Sequence, residues 1–126
     1  MIQKTVLSVG QCGPDHASIS RFLVGHFNVQ VIATDLPSDT LETLYRQDVD
    51  LVLINRKLDT DGTDGMEILK TLKNNKEHAH VPVMIVSNFD DAQLAAVQEG
   101  AVHGFGKAEF SSPAVRERLS EILSDQ

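Results

Sequence analysis

The sequence predicts an α/β fold in which a parallel β-sheet is covered by helices on both faces. Strand-sized apolar runs alternate along the chain with helix-sized amphipathic segments, and the connections between them are short. The run at residues 51–54 is apolar without alternation, as expected for a strand that is buried on both faces. Strand–helix–strand units form right-handed crossovers, so neighbouring strands are parallel. We therefore expect five strands and five helices in one domain over residues 1–126.

The first half of the chain predicts two strand–helix units. Residues 5–9 form the first strand, and the following helix spans 14–27. Its apolar stripe at helical spacing consists of Ile19, Phe22, Leu23 and His26. Residues 29–33 form the second strand, and Ser38 is expected to cap the second helix. That helix carries Leu41, Leu44 and Tyr45 on one face.

The second half predicts three further units. After the strand at 51–54, Asp64 is expected to cap a helix bearing Met66, Leu69 and Leu72. Residues 81–86 form the fourth strand, and a helix from Asp90 to Gln98 follows. A short fifth strand, interrupted by glycine, is expected near residues 102–106. The sequence Ser112-Pro113 then opens a last helix.

Composition and charge exclude several classes of protein. The 126 residues are 41% hydrophobic and 23% charged, which is typical of a single globular domain. A net charge of −7 argues against binding to nucleic acid or to an anionic membrane. The sequence has no apolar run long enough for a membrane span and no signal-peptide pattern. Cys12, the single cysteine, excludes an intrachain disulfide, so we expect a cytoplasmic protein.

Polar residues at the ends of the predicted strands indicate where function resides. In sheets of this kind, ligands bind beyond the carboxyl ends of the strands. Gly10, Asn55, Ser87 and Lys107 all stand at such ends. We therefore expect these four positions to lie near one another at a single edge of the sheet.

The order of these residues is similar to that of a known family. The segments DLVLIN, DGMEILKTLK, VPVMIVSN and AAVQEGA, followed by a lysine at the end of the last strand, resemble a response-regulator receiver domain of the CheY-like type. The resemblance implies a flavodoxin-like (βα)₅ three-layer sandwich with strand order 2-1-3-4-5. It also implies phosphorylation of an aspartate at the end of the third strand, with Mg²⁺ held by an acidic pair after the first.

The match of this sequence to the family's site residues is partial. Ser87 and Lys107 occupy the family's hydroxyl and lysine positions. The phosphoacceptor position is Asn55, and the acidic pair falls on Gly10 and Gln11. An amide does not form an acyl phosphate, and neither Gly10 nor Gln11 offers Mg²⁺ an anionic oxygen. The resemblance therefore implies a pseudo-receiver with no cofactor, no bound metal and no catalytic residues.

A protein of this kind is expected to act by binding other proteins rather than as an enzyme. Receiver domains pair or dock through the face formed by the fourth helix, the fifth strand and the fifth helix, so the resemblance implies a signalling partner or a homodimer. The residues of this sequence that fall on that face are Asp90, Gly104, Phe105, Arg116 and Arg118. Gly104 occupies the position where the family often has an aromatic residue that switches.

Two other functions are compatible with the same residues. A displaced phosphoacceptor would be Asp59, in the loop after the third strand, or Cys12, just before a helix N-terminus. Alternatively, Lys107, Ser87 and the backbone amides of residues 10–13 would bind an anion or a small ligand. The structural alternatives are that Lys107 bonds Asn55 or backbone carbonyls, and that Ser87 bonds the local backbone. A calcium loop at residues 59–64 lacks the spacing of an EF-hand.

Overall fold

The computed structural model describes residues 3–109 and 112–124. Within them the chain alternates between strands and helices, as predicted. The elements in chain order are β1 (Lys4–Val9), α1 (Gly13–His26), β2 (Val29–Thr34), α2 (Pro37–Arg46), β3 (Leu51–Asn55), α3 (Gly65–Lys73), β4 (Val83–Val86), α4 (Asp90–Gln98) and α5 (Pro113–Leu123).

The four strands form one parallel sheet in the order β2-β1-β3-β4. At one edge of this sheet Val9 is in register with both Thr34 and Ile54, and Asn55 is in register with Val86. The carboxyl ends of all four strands therefore meet at the same edge. This arrangement confirms the predicted α/β flavodoxin-like fold.

The sheet lies between two apolar layers because alternate residues of each strand point to opposite faces. On one face, Leu7, Val52 and Ile85 belong to a buried cluster that includes residues of α2, α3 and α4. On the other face, Val6, Leu53 and Met84 belong to a cluster with α1 and α5. Burial on both faces explains the continuous apolar sequence of β3.

The predicted fifth strand is wrong in detail, because residues 102–106 make a single parallel bridge, Val86 to Phe105. The amide of Val102 donates to Val83 O at 2.8 Å, and the amide of Ser87 donates to Phe105 O at 2.9 Å. Between these two bonds the side chain of Gln93 in α4 bonds both segments. The amide of Gly104 donates to Gln93 Oε1 at 2.8 Å, and Gln93 Nε2 donates to Ile85 O at 2.9 Å. Residues 102–106 are therefore attached to both β4 and α4, although they make one bridge rather than a full strand.

The start of α2 also differs from its prediction, whereas that of α3 agrees. The predicted cap Ser38 lies inside α2, which begins at Pro37. The Asp39 carboxylate instead accepts from the amides of Leu36 at 2.8 Å and Asp35 at 3.0 Å. At α3, Asp64 is the cap as predicted, since its Oδ1 accepts from the amide of Met66 at 2.9 Å.

Other boundaries shift by one or two residues, and two side chains expected on buried stripes are exposed. The fourth strand begins at Val83, after Pro82, rather than at residue 81. Tyr45 of α2 is 59% exposed, and His26 at the end of α1 is also exposed. Within residues 3–109 and 112–124, no helix combines the length and apolar character needed to cross a bilayer.

Candidate functional site

The carboxyl edge of the sheet carries an open cavity of about 980 Å³. Asn55, Ser87 and Lys107 all line it, as the strand-end argument predicts. Cys12 and Asp59, the two candidates for a displaced phosphoacceptor, line the same cavity. Part of the wall is apolar and consists of Leu58, Met66, Val86, Phe89, Ala92 and Ala95.

The amide of Asn55 connects two loops at the base of this cavity. Asn55 is buried at the end of β3, and its Nδ2 donates to Gly10 O at 3.0 Å. The backbone amide of Asp59 donates to the same carbonyl at 2.9 Å, and Gly10 N donates to Thr34 O at 2.8 Å. Gly10 therefore joins the segments that follow β1, β2 and β3. The hydrogen bond from the Asn55 side chain is one of the bonds that hold this junction.

Gly10 is required at this junction for two reasons. Its φ of 72° lies in the left-handed region, which favours glycine. A Cβ at this position would also overlap the side chain of Leu58, which is 1% exposed. The volume that a side chain at position 10 would need is thus filled by Leu58, in the loop after β3.

Gln11, the second residue of the predicted pair, is also buried. Its Nε2 reaches Val9 O at 3.5 Å, which is a long hydrogen bond. Its Oε1 is buried and has no hydrogen-bond partner within the described part of the chain. Gln11 is not among the residues that line the cavity.

Lys107 forms an ion pair that the sequence did not predict. Its Nζ lies 2.6 Å from Oδ2 of Asp15, and the two side chains are 39% and 30% exposed. The expectation that Lys107 bonds Asn55 or backbone carbonyls is therefore wrong. The hydrogen bond from Lys107, followed by one from the Cys12 side chain, lowers the pKa of Asp15 below its ordinary value of 3.8. Asp15 was missed, although an acidic residue in the first turn of a helix at the carboxyl edge is a usable signal.

Ser87 bonds the local backbone, as predicted. Its Oγ accepts from the amide of Phe89 at 3.2 Å. Its carbonyl oxygen accepts from Gln93 Nε2 at 3.1 Å. Sequence reasoning missed Gln93, which is 3% exposed; its signal is the spacing of three residues from the buried Ala96 on the same helix.

Comparison with known proteins identifies the family. The family model for the response regulator receiver domain matches residues 14–124. The chain belongs to the response-regulator receiver family. No curated protein sequence matches it significantly.

Solved structures of receiver proteins share the fold of this receiver domain. A Chloroflexus aurantiacus protein assigned as a response regulator is 18% identical, with a TM-score of 0.82 and coverage of 98% of this chain and 100% of that one. The signal receiver domain of a DNA-binding response regulator from Colwellia psychrerythraea is 20% identical, with a TM-score of 0.78 and coverage of 94% and 96%. NtrX from Brucella abortus is 18% identical, with a TM-score of 0.80; 97% of this chain matches 28% of that longer one.

The carboxylates of Asp61 and Asp64, in the acidic loop after β3, bond to groups within the loop and at the start of α3. Asp61 accepts from the amide of Thr63 at 2.9 Å, and hydrogen bonds from the side chain and then the backbone of Thr63 lower the pKa of Asp61. Asp64 pairs with Arg56 at 2.7 Å in addition to capping α3. In the part of the chain that is described, no group of three or more His, Cys, Asp or Glu side chains is arranged to hold a metal ion.

The residues predicted for the docking face of the receiver domain divide into two sets. Asp90 and Arg116 are exposed. Gly104 and Phe105 are buried, and the half-buried Arg118 donates from Nη2 to Gly104 O at 2.9 Å. Arg118 therefore stabilises the fold, so substituting it is not a clean test of docking. The exposed apolar side chains of this region are Phe89 (69%), Leu94 (62%) and Val97 (43%).

Proposed function

We propose that this receiver domain acts without phosphorylation, by binding a protein partner, and that it is not an enzyme. The observation that carries the proposal is the hydrogen bond from Asn55 Nδ2 to Gly10 O at the family's phosphoacceptor position. An amide has no anionic oxygen to attack a phosphoryl group. Here it also has a structural role that a carboxylate does not fill, because a carboxylate has no proton to donate to the carbonyl.

The donor set at the carboxyl edge does not fit Mg²⁺, which supports the same proposal. Mg²⁺ is usually bound through carboxylates and water. The acidic-pair positions are held by Gly10 and Gln11, and the space beside Gly10 is filled by Leu58. The nearby carboxylate of Asp15 is already paired with Lys107.

Binding through the face of α4, residues 102–106 and α5 is the function that these residues support. Leu94 and Val97 expose apolar surface on α4, which also carries the exposed Asp90, and Arg116 is exposed on α5. Such a mixture of apolar and charged side chains suits a signalling protein or a second copy of this chain. The net charge of −7 supports neither nucleic acid nor membrane as the partner.

Intact mass after incubation with acetyl phosphate and Mg²⁺ tests the absence of phosphorylation. We expect no phosphoryl adduct on the wild type and none on an Asn55→Ala variant, so that each keeps the mass of its own untreated sample. A stoichiometric adduct would overturn the proposal. Its loss in Asp59→Asn or in Cys12→Ser would then identify the displaced acceptor.

Thermal unfolding in phosphate tests the alternative of an anion sensor. We expect no saturable rise in Tm, because the charge of Lys107 is taken up by Asp15. A saturable rise that Lys107→Met abolishes, with no adduct in the mass spectrum, would favour an anion-binding function instead.

Association measurements test the docking face. We expect Leu94→Asp and Arg116→Glu to weaken association without loss of stability, because both side chains are exposed. Val24→Asp, on α1 and 56% exposed, is the matched control. Sedimentation velocity over a concentration range measures self-association, and co-purification from the native host measures binding of a signalling partner. Association that is unchanged in both face variants would show that another surface is used.

A further inference from the structure

Gly104 is bonded to two helices at once through its backbone. Its amide donates to Gln93 Oε1 of α4 at 2.8 Å, and its carbonyl accepts from Arg118 Nη2 of α5 at 2.9 Å. A Cβ at position 104 would overlap Ile85 O and approach Gln93 Oε1 to 3.1 Å. Glycine is thus needed at position 104, because its backbone packs directly against that of Ile85 and against the Gln93 side chain.

The Gln93 carboxamide is bonded on both of its polar atoms. Nε2 donates to Ile85 O at 2.9 Å and to Ser87 O at 3.1 Å, while Oε1 accepts from Gly104. The side chain is 3% exposed, so these bonds are shielded from water. Breaking any one of them leaves a buried polar group without its partner, which costs far more than breaking an exposed bond.

Through these contacts, α4 is bonded both to β4 and to residues 102–106. Moving α4 away from β4 breaks the bonds of Gln93 to Ile85 and Ser87, and it also removes the acceptor of Gly104 N. Moving residues 102–106 away from β4 also breaks the bond from Gly104 N to Gln93 Oε1. Neither segment therefore opens without disturbing the other.

We propose that Gln93 couples α4 to residues 102–106, so that the two segments open as one cooperative unit. The unit holds the face formed by α4, residues 102–106 and α5 in one arrangement. Position 104 carries no side chain whose rotation would change it, and Arg118 attaches the same glycine to α5. This coupling concerns local opening of the two segments and does not require phosphorylation of the cavity residues.

Amide hydrogen exchange of the wild-type protein tests the coupling directly. It is measured by NMR at increasing urea concentrations that all lie below the global unfolding transition. We expect the amides of Gly104 and of Gln93, which bonds Phe89 O, to open with the same free energy and the same urea dependence. Amides of β1 and β3 should exchange only through an opening whose free energy is higher than that of the opening at Gly104 and Gln93. Different urea dependences for Gly104 and Gln93 would overturn the proposal without any variant.

Gln93→Leu removes the bonds while keeping a side chain of similar size. We expect exchange at Gly104 and in α4 to become about 10- to 100-fold faster, because buried hydrogen bonds are lost. Amides of β1 and β3 should be unaffected. Gln98→Leu, an exposed position on the same helix, is the matched control and should change neither segment. Retained protection of Gly104 in Gln93→Leu, or an equal loss in every strand, would overturn the proposal.

Discussion

At the scale of single residues, the departures from the family pattern fit one another. Gly10 occupies a left-handed conformation, and Leu58 fills the space beside it. Asn55 then satisfies the Gly10 carbonyl with a proton that an aspartate would lack. Restoring one acidic residue would therefore disturb the packing before it restored any chemistry.

We predict that Gly10→Ala strongly destabilises the protein. The left-handed φ and the overlap with Leu58 together should lower the free energy of unfolding by about 2–4 kcal/mol. Gly13→Ala is the control, since a Cβ there meets nothing within 4 Å. It should leave stability unchanged or raise it by up to about 1 kcal/mol. Urea unfolding measures both, and equal effects at the two positions would contradict the packing argument.

We predict that the ion pair of Asp15 and Lys107 contributes to stability at neutral pH but not in acid. The pKa of Asp15 is lowered in the folded state, so its contribution is present above 3.8 and is lost as the pH falls through the lowered value. Because both groups are partly exposed, Asp15→Asn should cost about 0.5 kcal/mol at pH 7.

Urea unfolding of the wild type and Asp15→Asn between pH 2 and 7 measures this difference. Most of the cost of Asp15→Asn should disappear in a Lys107→Met background in a double-mutant cycle, because Lys107 lowers the pKa of Asp15 more than Cys12 does. A cost that is constant with pH, or that persists undiminished without Lys107, would show that Asp15 acts through other contacts.

At the scale of helices and strands, polar side chains bond the backbone at the places where the elements differ from their prediction. Asp39 rather than Ser38 bonds the free amides at the start of α2. Gln93 bonds the backbones of both β4 and Gly104, where residues 102–106 make one bridge instead of the expected strand. Both cases involve a polar side chain that bonds the backbone of another segment or turn.

We predict that Asp39→Ala destabilises α2 and that Ser38→Ala does not. Loss of two bonds to the amides before the helix should cost about 1 kcal/mol. Ser38 is exposed, and alanine is the better helix former, so its replacement should be neutral or slightly stabilising. Thermal unfolding followed by circular dichroism compares the two. A larger loss in Ser38→Ala would place the start of the helix where the sequence predicted it.

At the scale of the whole molecule, one sheet supports two apolar layers. Leu7 and Leu53 are fully buried on opposite faces, in different clusters. The strands that carry them, β1 and β3, are adjacent in the sheet. Damage to either layer should therefore affect the stability of the same folded unit.

We predict that Leu7→Ala and Leu53→Ala each lower the free energy of unfolding by about 2–5 kcal/mol. Each variant should still unfold in one transition with the wild-type urea dependence, because both layers share the sheet. Circular dichroism and the fluorescence of Tyr45 should report the same midpoint. Two separated transitions in either variant would show that the layers unfold independently.

The sequence by itself determined the fold and the edge of the sheet that carries the site. Apolar runs and helical stripes are local patterns, and parallel crossovers bring the ends of the strands together. The grouping of Asn55, Ser87 and Lys107 follows from that rule without knowledge of any contact.

Only the tertiary structure decided which groups bond one another within the site. Lys107 bonds Asp15 rather than Asn55, Leu58 fills the space beside Gly10, and Gln93 enters the edge of β4. Each contact joins segments that periodicity treats separately. Its geometry depends on shifts of an ångström or two in how the elements pack, and no local pattern in the sequence records distances of that size.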